Sequence, residues 1–346
     1  MKFCLIDVAN LIHRARRVQG KSTDTELMIS MSLQTIFLSM SKVFNKLNAE
    51  HAVMCFDTYS WRKVIFEDYK AHRTEKVTRS EQRIRESINR ICDDLELFLR
   101  NSTNATVLRH ELIEADDFIA RWIALHPNDD HIIISSDSDF KQLIAPNVEI
   151  YNGISGVLTT IDGVFFQDGG QDAKYPKVHM YNEIWKQKLI VEKQKVTDVP
   201  VAVEPKWELF LKIMKGDVSD NIPAAHVPRL RTTKLREAFE NPNGEMWNEI
   251  MEPVRYHKTI EEDGVKLVKD VTVRDLYNRN TLLVDLTAQP VEIIELIDTV
   301  IEEAIAVPRK KSVGVSFLSF CGQHNLVRMA NNVSSYVKVF SKGYAT

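Results

Sequence analysis

The chain has only four cysteines in 346 residues, Cys4, Cys55, Cys92 and Cys321, and none has metal-type spacing to another. Cys4 and Cys55 fall inside apolar runs and read as small core residues, which fits a reducing cytoplasm. No run of 18 apolar residues is present, which disfavours a membrane span. The N-terminus enters MKFCLIDVAN directly, with no separate apolar h-region or cleavage site, so a secretory signal is not expected. No internal repeat stands out. An excess of positive charge is also missing, since the formal net charge is −3. The length allows one large domain or two smaller ones with a sizeable core.

What is abundant is acid in particular places. Five blocks carry it: Asp7 in CLIDVAN, Asp57 in VMCFD, Glu114, Asp116 and Asp117 in LIEADDFIA, Asp137 and Asp139 in IIISSDSDF, and Asp217 and Asp220 in IMKGDVSDN. The runs FCLI, AVMCF and HIIIS read as buried parallel strands, and three of the blocks follow them directly. Loops past the carboxyl ends of parallel strands are where open α/β sheets build sites. Nine carboxylates at one sheet edge repel each other unless cations hold them. Oxygen ligands without His or Cys point to Mg²⁺ or Mn²⁺ rather than zinc. Such a site suits phosphoryl chemistry on nucleic acids. Leaving these nine residues out raises the formal charge from −3 to +6, so a nucleic-acid partner stays compatible with the balance.

The element pattern is alternating. Strands are expected at 2–7, 52–57, near 105–109, at 131–136 and at 147–151, with helices at 25–47, up to about Arg100, and from near Glu114. This predicts an α/β domain with a right-handed parallel sheet flanked by helices. VLTTIDGVFF suggests a hairpin, residues 177–195 a charged helix, and TDVPVAVEP a linker. From Trp207 onward helices are expected at 207–215, 232–240, 245–251, 272–284, 290–306 and 312–332, the last broken near Gly322. The division is a catalytic region 1–206, with an arch at about 60–100 and an insertion at about 152–206, followed by a helical region 207–346.

Each block alone has a bland explanation. EADD suits an acidic first turn on a helix dipole. Its three acids converge only if Glu114 sits on the turn just before the helix. SSDSD suits a capped loop entry, and GDVSDN an Asp-rich turn that Gly216 permits. Their combination favours a site. Between Arg62 and Arg90 the chain carries nine Lys/Arg against five Asp/Glu. In EDYKAHR, Lys70 suits a scissile phosphate and Tyr69 a stacked base, against the alternative of a solvated basic helix face.

In order, LIDVANLIHRA, FD with WR…YKAHR, EADD, ISSDSDFKQL and KGDVSDNIP resemble the 5′-nuclease superfamily of flap endonucleases and 5′→3′ exonucleases, and within it the ribonuclease H of T-even phages. The likeness continues into RDLYNRNTLLVDL and the final helices. The resemblance implies a PIN-like α/β domain with a helical arch and a helix–three-turn–helix DNA-binding unit. It implies two Mg²⁺ ions, with Mn²⁺ able to substitute. Asp7, Asp57, Glu114, Asp116, Asp137 and Asp139 would form the inner metal shell, with Asp117, Asp217 and Asp220 completing it or forming a second site. Lys70 and Arg73 would meet the scissile phosphate, and Arg62 and Tyr69 belong to the same nucleic-acid-binding set. Implied substrates are DNA and RNA:DNA duplexes with 5′ ends or flaps, including RNA primers in phage-type lagging-strand replication. A single-strand-binding protein and a sliding clamp are implied partners, and a monomer in the host bacterial cytoplasm the implied state.

Two departures stand out. After SDNIP the chain has Ala224, Ala225, His226, Val227 and Pro228 where many relatives, though not the T-even one, have a glycine-containing turn. Arg229, Arg231, Lys234 and Arg236 would compensate as charges. Residues 152–206 also exceed the corresponding segment. Two other classes make different demands on the sequence. A catalytically silent DNA-structure-binding protein would show a missing acid, and none is missing. A dehalogenase-type phosphatase needs an acidic residue two positions after Asp7, where Ala9 stands.

Overall fold

The computed structural model describes residues 1–18, 24–71, 79–166, 202–226, 230–262 and 265–344. The expected helix at 177–195 and most of the 152–206 segment lie outside them. The chain divides into two compact units. One comprises Met1–Ser60, Val77–Val203 and Val291–Thr346; the other comprises Trp61–Lys76 and Glu204–Pro290. The C-terminal helices, grouped from sequence with the helical region, thus fall in the first unit.

The first unit is built on a seven-stranded sheet ordered β3-β2-β1-β4-β5-β6-β7. The strands are β1 (Lys2–Asp7), β2 (His51–Cys55), β3 (Thr106–Leu108), β4 (Asp130–Ile134), β5 (Val148–Asn152), β6 (Val157–Thr160) and β7 (Gly163–Phe166). The first five pair in parallel, and β6 and β7 add the antiparallel hairpin expected from VLTTIDGVFF. β1 and β2 are almost wholly buried, which is why their sequences run apolar without alternation. One sheet face, with Cys4, Ile6, Ala52, Met54, Ile132 and Ile134, packs into a core shared with Ile36, Phe37, Phe98, Phe317 and Phe340. On the other, Phe3 meets Trp122 edge-on at 5.3 Å.

Helix α1 (Val8–Val18) leaves β1 without a connecting loop, and α2 (Thr25–Leu47) returns to β2. Asp24 caps α2 by accepting from the Leu27 N–H at 3.1 Å. By length and composition alone α2 is long and apolar enough to cross a membrane. Its apolar residues are explained by the core instead: Ile29, Leu33, Ile36, Phe37, Met40, Val43, Phe44 and Leu47 are all buried there. Helix α4 (Arg79–Ser102) precedes β3, and α5 (Ala115–Leu125) precedes β4. Arg121 of α5 grips Asp298 of the helix Val291–Ile305 with two bonds of 2.6 Å.

Among the described residues the second unit is helical apart from one hairpin. Its helices are the short α3 (Arg62–Ile65), then Pro205–Lys215, Thr232–Glu240, Glu245–Met251 and Val273–Val284. Phe210, Met214, Leu235, Ile250, Met251, Val273 and Leu276 form one cluster, and Tyr69, Ile213, Ile222, Leu283 and Val284 another. The strands Val254–Glu262 and Val265–Thr272 pair antiparallel in a stretch where sequence alone gave no element.

Candidate active site

The strand order places β2 and β4 on opposite sides of β1, so the chain reverses direction across the sheet beside β1. This switch point is where open α/β sheets bind ligands. In register, Asp7 pairs with Cys55 and Ile6 with Ile134. Asp7 therefore ends β1 level with the end of β2, and Asp57 and Asp137 follow two or three residues past β2 and β4.

Asp7 is 6% exposed. One oxygen accepts from the Asn10 N–H at 2.9 Å, an N-cap-type bond to the first turn of α1. The other accepts from the Ser135 hydroxyl at 3.0 Å. Burial, followed by repulsion from Asp57, pushes the Asp7 carboxyl up to about 7; the two hydrogen bonds pull the other way, and Asp137 adds to the rise. Asn10 also ties to the next loop, donating to the Ser136 hydroxyl at 2.9 Å. In that loop the Asp137 N–H donates to Ser135 at 3.1 Å and the Asp139 N–H to the Asp137 carboxylate at 3.0 Å.

Asp57 is exposed and accepts from the Ala115 N–H at 2.8 Å, so it also caps the start of α5. Thr58 beside it bonds the carbonyls of His110 and Ile113, fixing the approach to α5. Glu114 is the N-cap residue in extended conformation, which meets the geometric condition for the EADD acids to converge. Its carboxylate accepts from Ser60 at 2.6 Å. Asp116 is half-buried and Asp117 fully buried in the first turn of α5. The Cys55 thiol reports the crowding: burial first, then the charges of Asp7, Asp116 and Asp57, push it well above the usual thiol range.

Asp7, Asp57, Glu114, Asp116, Asp137 and Asp139 all belong to this unit and lie at or just past strand ends and at the head of α5. The donors are oxygen throughout, and the nearby thiol stays protonated. This donor set fits a hard divalent metal. Asn10, Ser135 and Ser60 complete the site. They carry no charge, so the pattern of acids did not mark them, although Asn10 and Ser135 stand inside CLIDVAN and IIISSDSDF.

In the helical unit, Gly216 has φ +68, and a Cβ there would sit 2.3 Å from the Ile222 carbonyl oxygen. Past this turn Asp217 accepts from the Ser219 N–H and hydroxyl at 2.7 and 2.6 Å and pairs with Lys212 at 2.7 Å. Burial would raise its carboxyl, but Lys212 and Ser219 outweigh that and hold it below the usual range. Asp220 sits over the basic segment: its carbonyl accepts from the Lys70 N–H at 2.9 Å, and its carboxylate from Tyr69 at 3.3 Å with Lys70 Nζ 3.7 Å away. Asn221 reaches the Asp68 carbonyl at 2.8 Å. Asn280, fully buried, donates to the carbonyls of Ile213 and Pro223 and locks this turn to the helix Val273–Val284.

Several expected nucleic-acid contacts are placed differently. Arg62 is 1% exposed and donates to the Leu283 carbonyl at 3.0 Å, so it is a structural cation. Tyr69 is 3% exposed, packed with Ile213, Ile222, Leu283 and Val284, and offers no face for a base. Lys234 pairs with Glu249, and Arg236 with Glu204 and Glu240, while Arg231 is exposed. Arg73 and Arg229 lie outside the described residues.

Residues 2–169 match the family described as 5′-3′ exonuclease, N-terminal resolvase-like domain. Flap endonuclease Xni of Shewanella loihica is 24% identical over 165 residues, covering 46% of this chain and 59% of its own length. That of Colwellia psychrerythraea is 30% identical over 167 residues, covering 43% and 54%. The chain thus spans little more than half the length of these curated relatives. Among solved structures, the flap endonuclease of bacteriophage T5 in complex with DNA and metal ions superposes with TM-score 0.58 at 17% identity, covering 88% of this chain and 99% of that one. The T5 5′-exonuclease with bound zinc gives TM-score 0.58 at 16% identity, covering 88% and 98%. At these identities the likeness shows the fold.

Proposed function

We propose that the chain, whose residues 2–169 match the 5′-3′ exonuclease N-terminal resolvase-like domain, is a 5′-nuclease that hydrolyses phosphodiesters as a 5′→3′ exonuclease and 5′-flap endonuclease. Mg²⁺ is the proposed ion, with Mn²⁺ as substitute. The proposed substrates are 5′-ended or flapped DNA and, in ribonuclease H fashion, RNA primers in RNA:DNA duplexes. The observation that carries this is the gathering of carboxylates at the β1 switch point, with buried Asp7 pushed up to about 7 by burial and by its acidic neighbours.

Asp7, Asp57, Glu114, Asp116, Asp137 and Asp139 would hold the metal. When bound, divalent cations supply neutralisation of the phosphate and a more acidic water. Asn10 and Ser135 fix the Asp7 rotamer, and Ser60 fixes Glu114, so the ligands need little reordering. For Lys70 we keep the role that the resemblance implies, contact with the scissile phosphate. Its positive φ of 54 and the bond from its N–H to Asp220 hold the backbone from which the side chain extends. Selectivity is expected to follow DNA structure more than base sequence, because contacts to phosphate carry no sequence information.

The test is a 5′-flap duplex labelled at either end, incubated with Mg²⁺ or with EDTA, for wild type beside Asp137→Asn. Metal-dependent products from the 5′ side, absent in the variant, are expected. Tight flap binding without cleavage in Mg²⁺ or Mn²⁺ would instead establish the silent structure-binding alternative. Lys70→Ala is expected to slow the single-turnover step by about 10²-fold, the scale of losing one charge-stabilising donor, with a smaller change in affinity. A pure affinity loss in single-turnover kinetics would reduce Lys70 to a docking residue.

A further inference from the structure

The hairpin Val254–Glu262/Val265–Thr272 stands between the helices Glu245–Met251 and Val273–Val284 and, among the described residues, belongs to no larger sheet. Two strands alone are at best marginally stable, and both strands are edges. Residues 256–259 and 268–270 are exposed, Tyr256 at 47% and Val268 at 70%. A bulge at Arg255 shifts the register, so that Tyr256 pairs with Val271 and Lys258 with Lys269. By strand alternation Tyr256, Lys258 and Lys269 therefore share one face.

The two faces differ in charge. On one, His257 lies opposite Asp270 and bonds it at 2.6 Å. On the other, two lysines stand directly opposite each other, an arrangement that costs stability unless an anion lies between or above them. The Asp275 carboxylate feels Lys269, but it is engaged by the backbone and side chain of Thr272 in a capping box. Two facing lysines with a tyrosine on the same face suit the phosphates of a nucleic-acid strand.

We propose that this hairpin is a nucleic-acid-binding wing, whose Tyr256–Lys258–Lys269 face contacts the phosphate backbone of the substrate duplex. The proposal rests on the nuclease assignment above and adds to it a contact surface of the helical unit. The wing raises affinity without touching the reacting phosphate, so it acts on binding and not on the chemical step.

The experiment is fluorescence anisotropy of the full chain on a 5′-flap duplex in EDTA between 50 and 200 mM KCl, with cleavage in Mg²⁺ read on the same preparations. For Lys258→Gln/Lys269→Gln, affinity is expected to fall about tenfold. The slope of log affinity against log salt should lose about 1.8, two phosphate contacts at about 0.9 each. Single-turnover cleavage at saturating enzyme should stay at the wild-type rate. His257→Gln/Asp270→Asn, on the other face, should bind like wild type; equal weakening by both pairs would mean that the hairpin only needs to be folded, and would overturn the wing. An unchanged slope in the lysine variant, with wild type cutting normally, would overturn the wing alone. So would unchanged DNA binding with lost binding to poly-glutamate, which would assign the face to an acidic protein segment. A wild type that neither binds nor cuts would remove the nuclease assignment itself.

Discussion

Asp7→Asn is expected to lower metal-dependent cleavage by at least about 10³-fold and, at the same time, to make the metal-free protein more stable above pH 7. Both effects come from one carboxylate. Asp7 ends β1 at the switch point, buried, with Asn10 and Ser135 on its two oxygens. The amide keeps an acceptor for the Asn10 N–H, and the Ser135 hydroxyl can turn to accept. The rotamer survives while the charge is lost, and with it a metal ligand. The stability gain follows from the raised carboxyl, at about 7 against an ordinary value of 3.8. Below the ordinary value both states hold the proton and nothing is lost. As pH rises toward 7 the unfolded chain ionises first, so stability falls; above 7 the loss is complete and constant. Because the group is coupled to Asp57 and Asp137, the gain in the variant is on the order of 2–4 kcal/mol at pH 8. Single-turnover kinetics and thermal unfolding in EDTA check the two halves. A variant that cuts at the wild-type rate would remove Asp7 from the metal set.

Gly216→Ala is expected to unfold the turn that carries Asp217 and Asp220. At φ 68 and ψ −174 the residue occupies a region that is almost glycine-only, which costs ~1–3 kcal/mol for any other residue. The added Cβ would also meet backbone: Ile222 O at 2.3 Å, Pro223 C at 2.6 Å and Ala224 N at 2.7 Å. Those atoms cannot yield freely. Asp217 and Ile222 exchange N–H···O bonds of 2.8 and 2.7 Å, and the Pro223 carbonyl is held by buried Asn280. A total of about 3–5 kcal/mol is expected, confined to the helical unit. Hydrogen exchange should lose protection across 204–226 and 273–284, with β1, β2 and β4 unchanged. Wild-type protection in 216–222 would show that the turn tolerates a side chain.

Much of this was legible in sequence because the signals were local. The apolar runs before Asp7, Asp57 and Ser135 form β1, β2 and β4, and the parallel order that places their ends together follows from the βα alternation. Helices 232–240 and 245–251 match their expected bounds, and the break expected near Gly322 appears as separate helices Val313–Gln323, Val327–Ala330 and Val333–Ser341. What sequence did not show depends on distant partners. Arg62 and Tyr69 look like exposed phosphate and base contacts, yet Leu283 and Val284, more than 200 residues away, bury them. Ser60, Ser135 and Asn280 carry no charge, and only the fold gives them carboxylates and carbonyls to hold. The hairpin did have a local signal, Asp263-Gly264 between two stretches rich in β-branched residues. It was obscured by the many charges in RYHKTIEEDGVKLVKD, which lower strand propensity when the strands are not buried.

The central claim is that the acids at the end of β1 form a divalent-cation site. Thermal unfolding of wild type and Asp7→Asn, at pH 5 and pH 8, in EDTA and in millimolar Mg²⁺, tests it most directly. In EDTA the wild type should lose stability relative to the variant between pH 5 and pH 8, and Mg²⁺ should restore it at pH 8 in the wild type far more than in the variant. If Mg²⁺ moves neither protein at pH 8, or moves both equally, the carboxylates at the switch point do not bind the metal and the account fails.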